Sequence, residues 1–208
     1  MSFKFGLKKN IIMNDKKIIY LITEDWYFCS HRLGLAKEAI KRNFKVYLLS
    51  NVSKHKSFIE NQGIKVIPLR FLKRSRLNVF FEILSILEIF SLLVKIKPDI
   101  LHAVALKPVI YGSLSSILLK KIKIINAIGG LGFIFSSGTL KAKILRPLVL
   151  YALKIMCSKK NSKLIVQNID DYFFVSQNLN IKSKNISLIE SAGVDLKKFQ
   201  IKESRKSI

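Results

Sequence analysis

Acidic residues are scarce: 13 Asp and Glu stand against 37 Lys and Arg in 208 residues, a net charge of +24. Such an imbalance favours anionic partners, whether phosphorylated substrates, acidic lipid or nucleic acid. The basic residues are spread through every predicted helix, and no recognition motif accompanies them, which argues against nucleic acid. A compositional reading carries equal weight, since Lys, Ile and Asn are abundant together, as an AT-rich genome would make them. Cysteine is rarer still, with two in the chain. Cys29 and Cys157 lie far apart, which excludes a disulfide framework and indicates a reducing compartment. The three histidines have no ligand spacing, so no metal site is expected. A GxSxG elbow, a Cys/His nucleophile pattern, a GxGxxG fingerprint and a GK[ST] phosphate loop are all missing. The opening MSFKFGLKKNIIMNDKK has no sustained apolar region and no small-residue cleavage site. Residues 1–15 therefore read as a basic extension and not a signal peptide, with Met13 an alternative start.

What is present is a core. Half the residues are hydrophobic, enough for one good-sized domain. Short apolar runs predict seven strands: Lys17 to Ile22, Lys45 to Leu49, Ile64 to Leu69, Asp99 to Ala103, Lys123 to Ala127, Lys163 to Gln167 and Asn185 to Ile189. Helical spacing predicts helices over Leu33 to Arg42, Lys54 to Gln62, Leu77 to Ile96, Pro108 to Lys120 and Leu140 to Met156, and from Asn168–Asp171 to about Gln177. Asn43 and Gly63 close the first two. Pro147 must kink its helix or begin a second one. Leu77 to Ile96 approaches the length of a membrane span, but Glu82 and Glu88 fall inside it, about 120° apart on the helix barrel. A crossover helix covering the sheet is the first reading, and an apolar face lying on a membrane surface the second. Alternating strands and helices without a repeat give the fold class: α/β, a Rossmann-like doubly wound parallel sheet.

In that topology the loops TEDWYFCSHR, HAVALK, AIGGLGF, QNIDD and ESAGVD open on one edge of the sheet, where such folds bind ligands. HAVALK carries His102, a candidate general base near neutral pH, and Lys107, a candidate phosphate contact. A buried, satisfied histidine and a solvated lysine are the competing readings. Gly129, Gly130 and Gly132 would let backbone amides approach phosphate or sugar, unless they form only a tight turn. Glu24, Asp25, Trp26, Tyr27, His31 and Arg32 suit a sugar, with aromatic faces for stacking and carboxylates for hydroxyls. Their bland alternative is a self-paired surface cluster.

TEDWYFCSHRLGLAKEA, GIKVIPL, KPDILHAVALKPVIYGSL, INAIGGLGFIFSS, LIVQNIDD and SAGVDLKKF, in that order, carry a resemblance. The chain is similar to the N-terminal domain of the bacterial family 4 GT-B glycosyltransferases that build lipopolysaccharide, capsule and related surface glycans. The resemblance spans residues 16–199 and leaves a polar tail, 200–208. It implies the acceptor-side half of a two-domain enzyme that transfers sugar from a nucleotide sugar with retention of configuration, without metal or resident cofactor. It puts acceptor binding on Glu24, Trp26, His31 and Arg32, with His102 and Lys107 near the reaction centre. Gly129, Gly130 and Gly132 would border the cleft, and Gly193 and Asp195 would lead into the hinge. Relatives often carry a second histidine here, where this chain has Ala103 and Val104. Ala192 replaces the usual glycine before GVD.

The donor domain, which would hold most of the nucleotide sugar, is not represented, so the expectation is an incomplete, truncated or split enzyme, inactive alone. The partners implied are a lipid-linked or saccharide acceptor, a nucleotide sugar, an anionic membrane surface at the inner face of the cytoplasmic membrane, and a second polypeptide carrying the donor domain. The alternative is a non-catalytic binding or scaffold half.

Overall fold

The computed structural model describes residues 16–75, 78–131, 140–157, 159–179, 181 and 183–190. Gly132, the hinge residues Gly193 and Asp195 with the rest of 191–195, and both terminal segments lie outside them.

The strands are β1 (Lys17–Glu24), β2 (Lys45–Asn51), β3 (Lys65–Pro68), β4 (Ile100–Val104), β5 (Lys123–Ile128), β6 (Ser162–Val166) and β7 (Ile186–Leu188). They form one seven-stranded sheet in the order β3-β2-β1-β4-β5-β6-β7, and every adjacent pair is parallel. This is the α/β, Rossmann-like fold expected. Each strand reads as a near-continuous apolar run because both faces of the sheet are covered. The strand order reverses between β1 and β4, which fixes the ligand crevice at their carboxyl ends.

Helices α1 (Asp25–His31), α2 (Leu33–Lys41) and α3 (Lys56–Glu60) belong to the first half of the chain. With them, alternate sheet residues Ile18, Tyr20, Ile22, Val46 and Leu48 enclose Phe28, Ala36 and Ile59. The later helices are α4 (Val79–Ile96), α5 (Leu106–Ser115), α6 (Leu140–Cys157) and α7 (Ile169–Asn178). They pack on the sheet through Ile89, Leu93, Val109, Val149, Leu153 and Val175 against Ile19, Leu21 and Leu101. Helix α6 runs through Pro147 as one element. Asn43 and Gly63 take the positive φ expected of residues that close a helix.

The segment Asp25–His31, predicted as part of a loop, is helical. Seven residues are too few to show a period, and tertiary contacts hold the turn. Phe28 is fully buried edge-on to Tyr20, with ring centroids 5.6 Å apart. The Asp25 carboxylate accepts from Ser53 N at 2.7 Å, Ser53 Oγ at 2.7 Å and His55 N at 3.1 Å. Burial works against its charge, but hydrogen bonds from Ser53, His55 and Trp26 outweigh burial and hold the carboxyl below its usual range.

Helix α4 buries Ser85, Ile89, Leu93 and Ile96 and leaves Val79, Phe80, Ile83, Leu87 and Val94 exposed. Its two glutamates flank the buried stripe and turn toward the protein. Glu82 meets Lys107 and Tyr111 of α5, and Glu88 accepts from the Arg70 and Phe71 amides. Among the described residues, no helix is long and apolar enough to cross a membrane.

Candidate functional site

At the carboxyl edge of the sheet lies a cavity of about 690 Å³, within the range of small-ligand sites. Strand ends and the connections after them supply its walls. Thr23 and Glu24 end β1, Trp26, Tyr27 and His31 follow it, and Arg74 follows β3. Ala105, Leu106, Lys107 and Pro108 follow β4, Gly129 and Gly130 follow β5, and Gln167 follows β6. Glu24, Trp26, His31, Lys107, Gly129 and Gly130 are thus brought together as the sequence led us to expect.

The α1 wall offers both stacking and hydrogen bonding. Trp26 is 44% exposed. Tyr27 stacks on His31 with centroids 4.2 Å apart and planes 11° from parallel. His31 Nδ1 lies 2.6 Å from Ser30 Oγ. The carboxylate of Glu24 accepts from Asn51 Nδ2 at 3.3 Å, which leaves it further lone pairs.

Gly129 is there for close approach. A Cβ on it would sit 3.1 Å from Gln167 Oε1 and 3.7 Å from the Tyr27 hydroxyl, whereas one on Gly130 would meet nothing within 4 Å. Leu131, just beyond, is tied to the start of α7. Asp171 Oδ2 accepts from Leu131 N at 3.0 Å and from Asn168 Nδ2 at 2.7 Å, while Asn168 caps α7 by accepting from Asp171 N at 2.7 Å. Between β4 and α5, Ala105 has φ 75° and ψ 159°, a conformation that ordinarily requires glycine. Its amide donates to Ala127 O at 2.9 Å, and its carbonyl accepts from Val109 N at 3.0 Å.

Two expected site residues lie elsewhere, and a third is occupied. His102 is not in the break after β4. The strand continues to Val104, so His102 pairs with Tyr20 in register and points under α1. It is 4% exposed and stacks on Tyr20 with centroids 5.2 Å apart. Burial, with the Arg32 charge added, lowers its pKa to about 3. A neutral core imidazole of that kind is not placed to act as the general base of the cleft. Arg32, 7% exposed, lies behind the cavity wall and donates from Nη1 to His31 O at 3.2 Å. Lys107 is on the wall, but its Nζ donates to Glu82 Oε1 at 2.7 Å and to Lys73 O at 2.7 Å. Tyr111 donates to the other oxygen of Glu82 at 2.6 Å. Burial, then that bond and the Glu82 charge, push the Tyr111 pKa up.

Sequence reasoning did not single out Arg74 or Gln167. The loop argument applied to the other strands, extended to the connection after β3, would have found Arg74. Among the described residues, no three His, Cys, Asp or Glu side chains are placed to hold a metal.

A family profile described as "Glycosyl transferase 4-like" matches residues 17–168, from the first strand to the cap of α7. The chain belongs to this glycosyl transferase 4-like family. Among curated relatives, it is 26% identical over 168 residues to the N,N'-diacetylbacillosaminyl-diphospho-undecaprenol alpha-1,3-N-acetylgalactosaminyltransferase of Campylobacter jejuni. That match covers 81% of this chain and 44% of the relative, so the chain spans less than half of its length. Among solved structures, Anabaena HepE in complex with UDP and glucose matches with TM-score 0.59 at 12% identity, over 88% of this chain and 46% of that one. UDP-GlcNAc 2-epimerase from Methanocaldococcus jannaschii matches with TM-score 0.53 at 18% identity, over 84% and 45%. Identities this low, over less than half of each neighbour, establish the shared α/β, Rossmann-like fold alone. A fold that also hosts epimerases does not choose the reaction.

Proposed function

We propose that this chain holds the acceptor in a retaining, nucleotide-sugar-dependent glycosyl transfer that builds a cell-surface polysaccharide or lipopolysaccharide. The observation that carries this reading is the composition of the α1 wall. Trp26 and Tyr27 present aromatic faces for the apolar side of a sugar ring, and Glu24 and Gln167 present polar groups for its hydroxyls, around one cavity. Gly129, having no side chain, leaves room beside it for both Gln167 and the Tyr27 hydroxyl. The family membership and the curated relative, which by name acts on a diphospho-undecaprenol substrate, support the same reading. A donor-binding half, on the same or another polypeptide, would bring the nucleotide sugar, because transfer requires donor and acceptor to be held in line. The exposed apolar face of α4 and the +24 charge favour work at the inner face of the cytoplasmic membrane, where a lipid-linked acceptor resides.

Trp26 is the one tryptophan of the chain, so intrinsic fluorescence reports on this wall. Titration with short-chain lipid-linked saccharides should change that emission, and Glu24→Gln should weaken binding about tenfold. Label transfer from a nucleotide sugar should appear only when a donor-binding half is supplied. Emission indifferent to every saccharide acceptor but responsive to free nucleotide sugar would sink the acceptor assignment.

A further inference from the structure

The cleft has a second cation, Arg74, on the loop between β3 and α4. We propose that Arg74, and not Lys107, receives the anionic group of the cleft's ligand, a phosphate or diphosphate ester. The inference rests on the proposed function only for what the rest of that ligand is.

Lys107 has a task already. Its ammonium closes a pair with Glu82 in which both side chains are more than four-fifths buried, at 18% and 16% exposure. Swinging it toward a ligand would leave the Glu82 carboxylate buried beside a single hydroxyl, an arrangement that strongly opposes the movement. Arg74 is exposed at the cavity, and among the described residues no carboxylate lies within ion-pair distance of it. Its planar fork matches two oxygens of a phosphate at once, which a lysine cannot do.

The loop that carries Arg74 is held residue by residue. The Arg70 amide donates to Glu88 Oε1 at 3.0 Å, and the Phe71 amide donates to Glu88 Oε2 at 3.2 Å. Leu72 is fully buried. The Lys73 carbonyl accepts from Lys107 Nζ at 2.7 Å. Arg74 is the next residue, so α4 and α5 together aim it. Lys107 is accordingly a positioning residue, fixing the loop through its neighbour's carbonyl. The cavity thereby acquires a direction, with saccharide toward Glu24, Trp26 and Tyr27 and the anion toward the β3–α4 loop.

A diphosphate could come from the lipid carrier of an acceptor or from a nucleotide sugar, and three probes separate them: inorganic pyrophosphate, farnesyl diphosphate and UDP. Each is titrated calorimetrically into the full chain and its variants at several salt concentrations. Arg74→Ala should weaken pyrophosphate about tenfold and flatten the salt dependence, because a contacting charge has gone. Arg74→Lys should recover part of the loss, and Arg74→Glu none. Lys107→Met should weaken binding while leaving the salt dependence as steep as in the wild type. Tighter binding of farnesyl diphosphate than of UDP assigns the anion to the acceptor's carrier, and the reverse order to the donor. Both orders support the site if Arg74 controls them.

The inference is overturned if wild-type chain binds none of the probes at millimolar concentration, or if Arg74→Glu binds them unchanged. It is also overturned if Lys107→Met, and not Arg74→Ala, flattens the salt dependence. These failures would leave saccharide binding through Glu24 intact. Conversely, loss of saccharide binding alone would remove the acceptor reading and leave the anion site standing.

Discussion

At 4% exposure and stacked on Tyr20, His102 stays neutral down to a pKa of about 3, so its protonation shows in stability. In the unfolded chain the imidazole has its ordinary pKa near 6.5. A folded-state value below the unfolded one means that the unfolded chain binds the extra proton. The stability this group supports is therefore complete above about pH 6.5 and declines as pH falls toward the folded value. Between pH 7.5 and pH 5.0, urea unfolding should show a loss of about 2 kcal/mol from this residue. His102→Phe should remove most of that slope. A slope unchanged by the substitution would mean that the imidazole is not desolvated as described. Under the proposed function, the same placement predicts a pH profile of transfer with no limb belonging to His102.

At the scale of elements, glycine shows how packing decides the sign of one substitution. Gly112 of α5 lies against the sheet, where an added Cβ would come within 2.9 Å of Leu21 Cδ2 and 3.2 Å of Leu101 Cδ2. Both leucines are fully buried and have little room to withdraw. Gly112→Ala should cost about 1–2 kcal/mol, since overpacking exceeds the gain in helix propensity. Gly34 of α2 has nothing within 4 Å of its Cβ position, so Gly34→Ala should instead stabilise by roughly 0.5 kcal/mol. Denaturant midpoints of the two variants test the pair. Midpoints moving in the same direction would show that α5 does not approach the sheet so closely. The switch between these environments is invisible in the sequence, because both glycines sit within helical patterns.

For the whole molecule, the exposed face of α4 and the excess of positive charge are what the proposed membrane reading rests on. Val79, Phe80, Ile83 and Leu87 lie outward, and both glutamates of the helix are engaged against the protein. Lys73 and Arg74 precede the helix, exposed at the cavity end of the molecule. Under the membrane reading, the chain should sediment with anionic vesicles, and binding should fall between low and physiological salt as screening shortens. Phe80→Glu with Leu87→Glu should weaken binding at every salt concentration, because those changes remove insertion and not only attraction. Equal binding to neutral vesicles, or none to either kind, would assign the face to another partner.

By itself the sequence determined the sheet, the crossing helices and the edge on which the cleft opens. These depend on local signals: short apolar runs, helical spacing, and Asn and Gly at helix ends. The motif order from TEDWYFCSHRLGLAKEA to SAGVDLKKF carried the resemblance, and the profile match over residues 17–168 shows the glycosyl transferase 4-like family. Tertiary structure alone decided which polar residues meet the cavity. His102 lies inside β4, two residues before its end and paired with Tyr20, on the face that packs away from the cavity. Lys107 was committed to Glu82, twenty-five residues earlier in the chain. Arg74 gained its place from Glu88, Leu72 and Lys107, none of which marks it in sequence. Strands and helices follow from near-neighbour patterns along the chain, whereas a side chain's charge state and free valences depend on what long-range packing puts beside it.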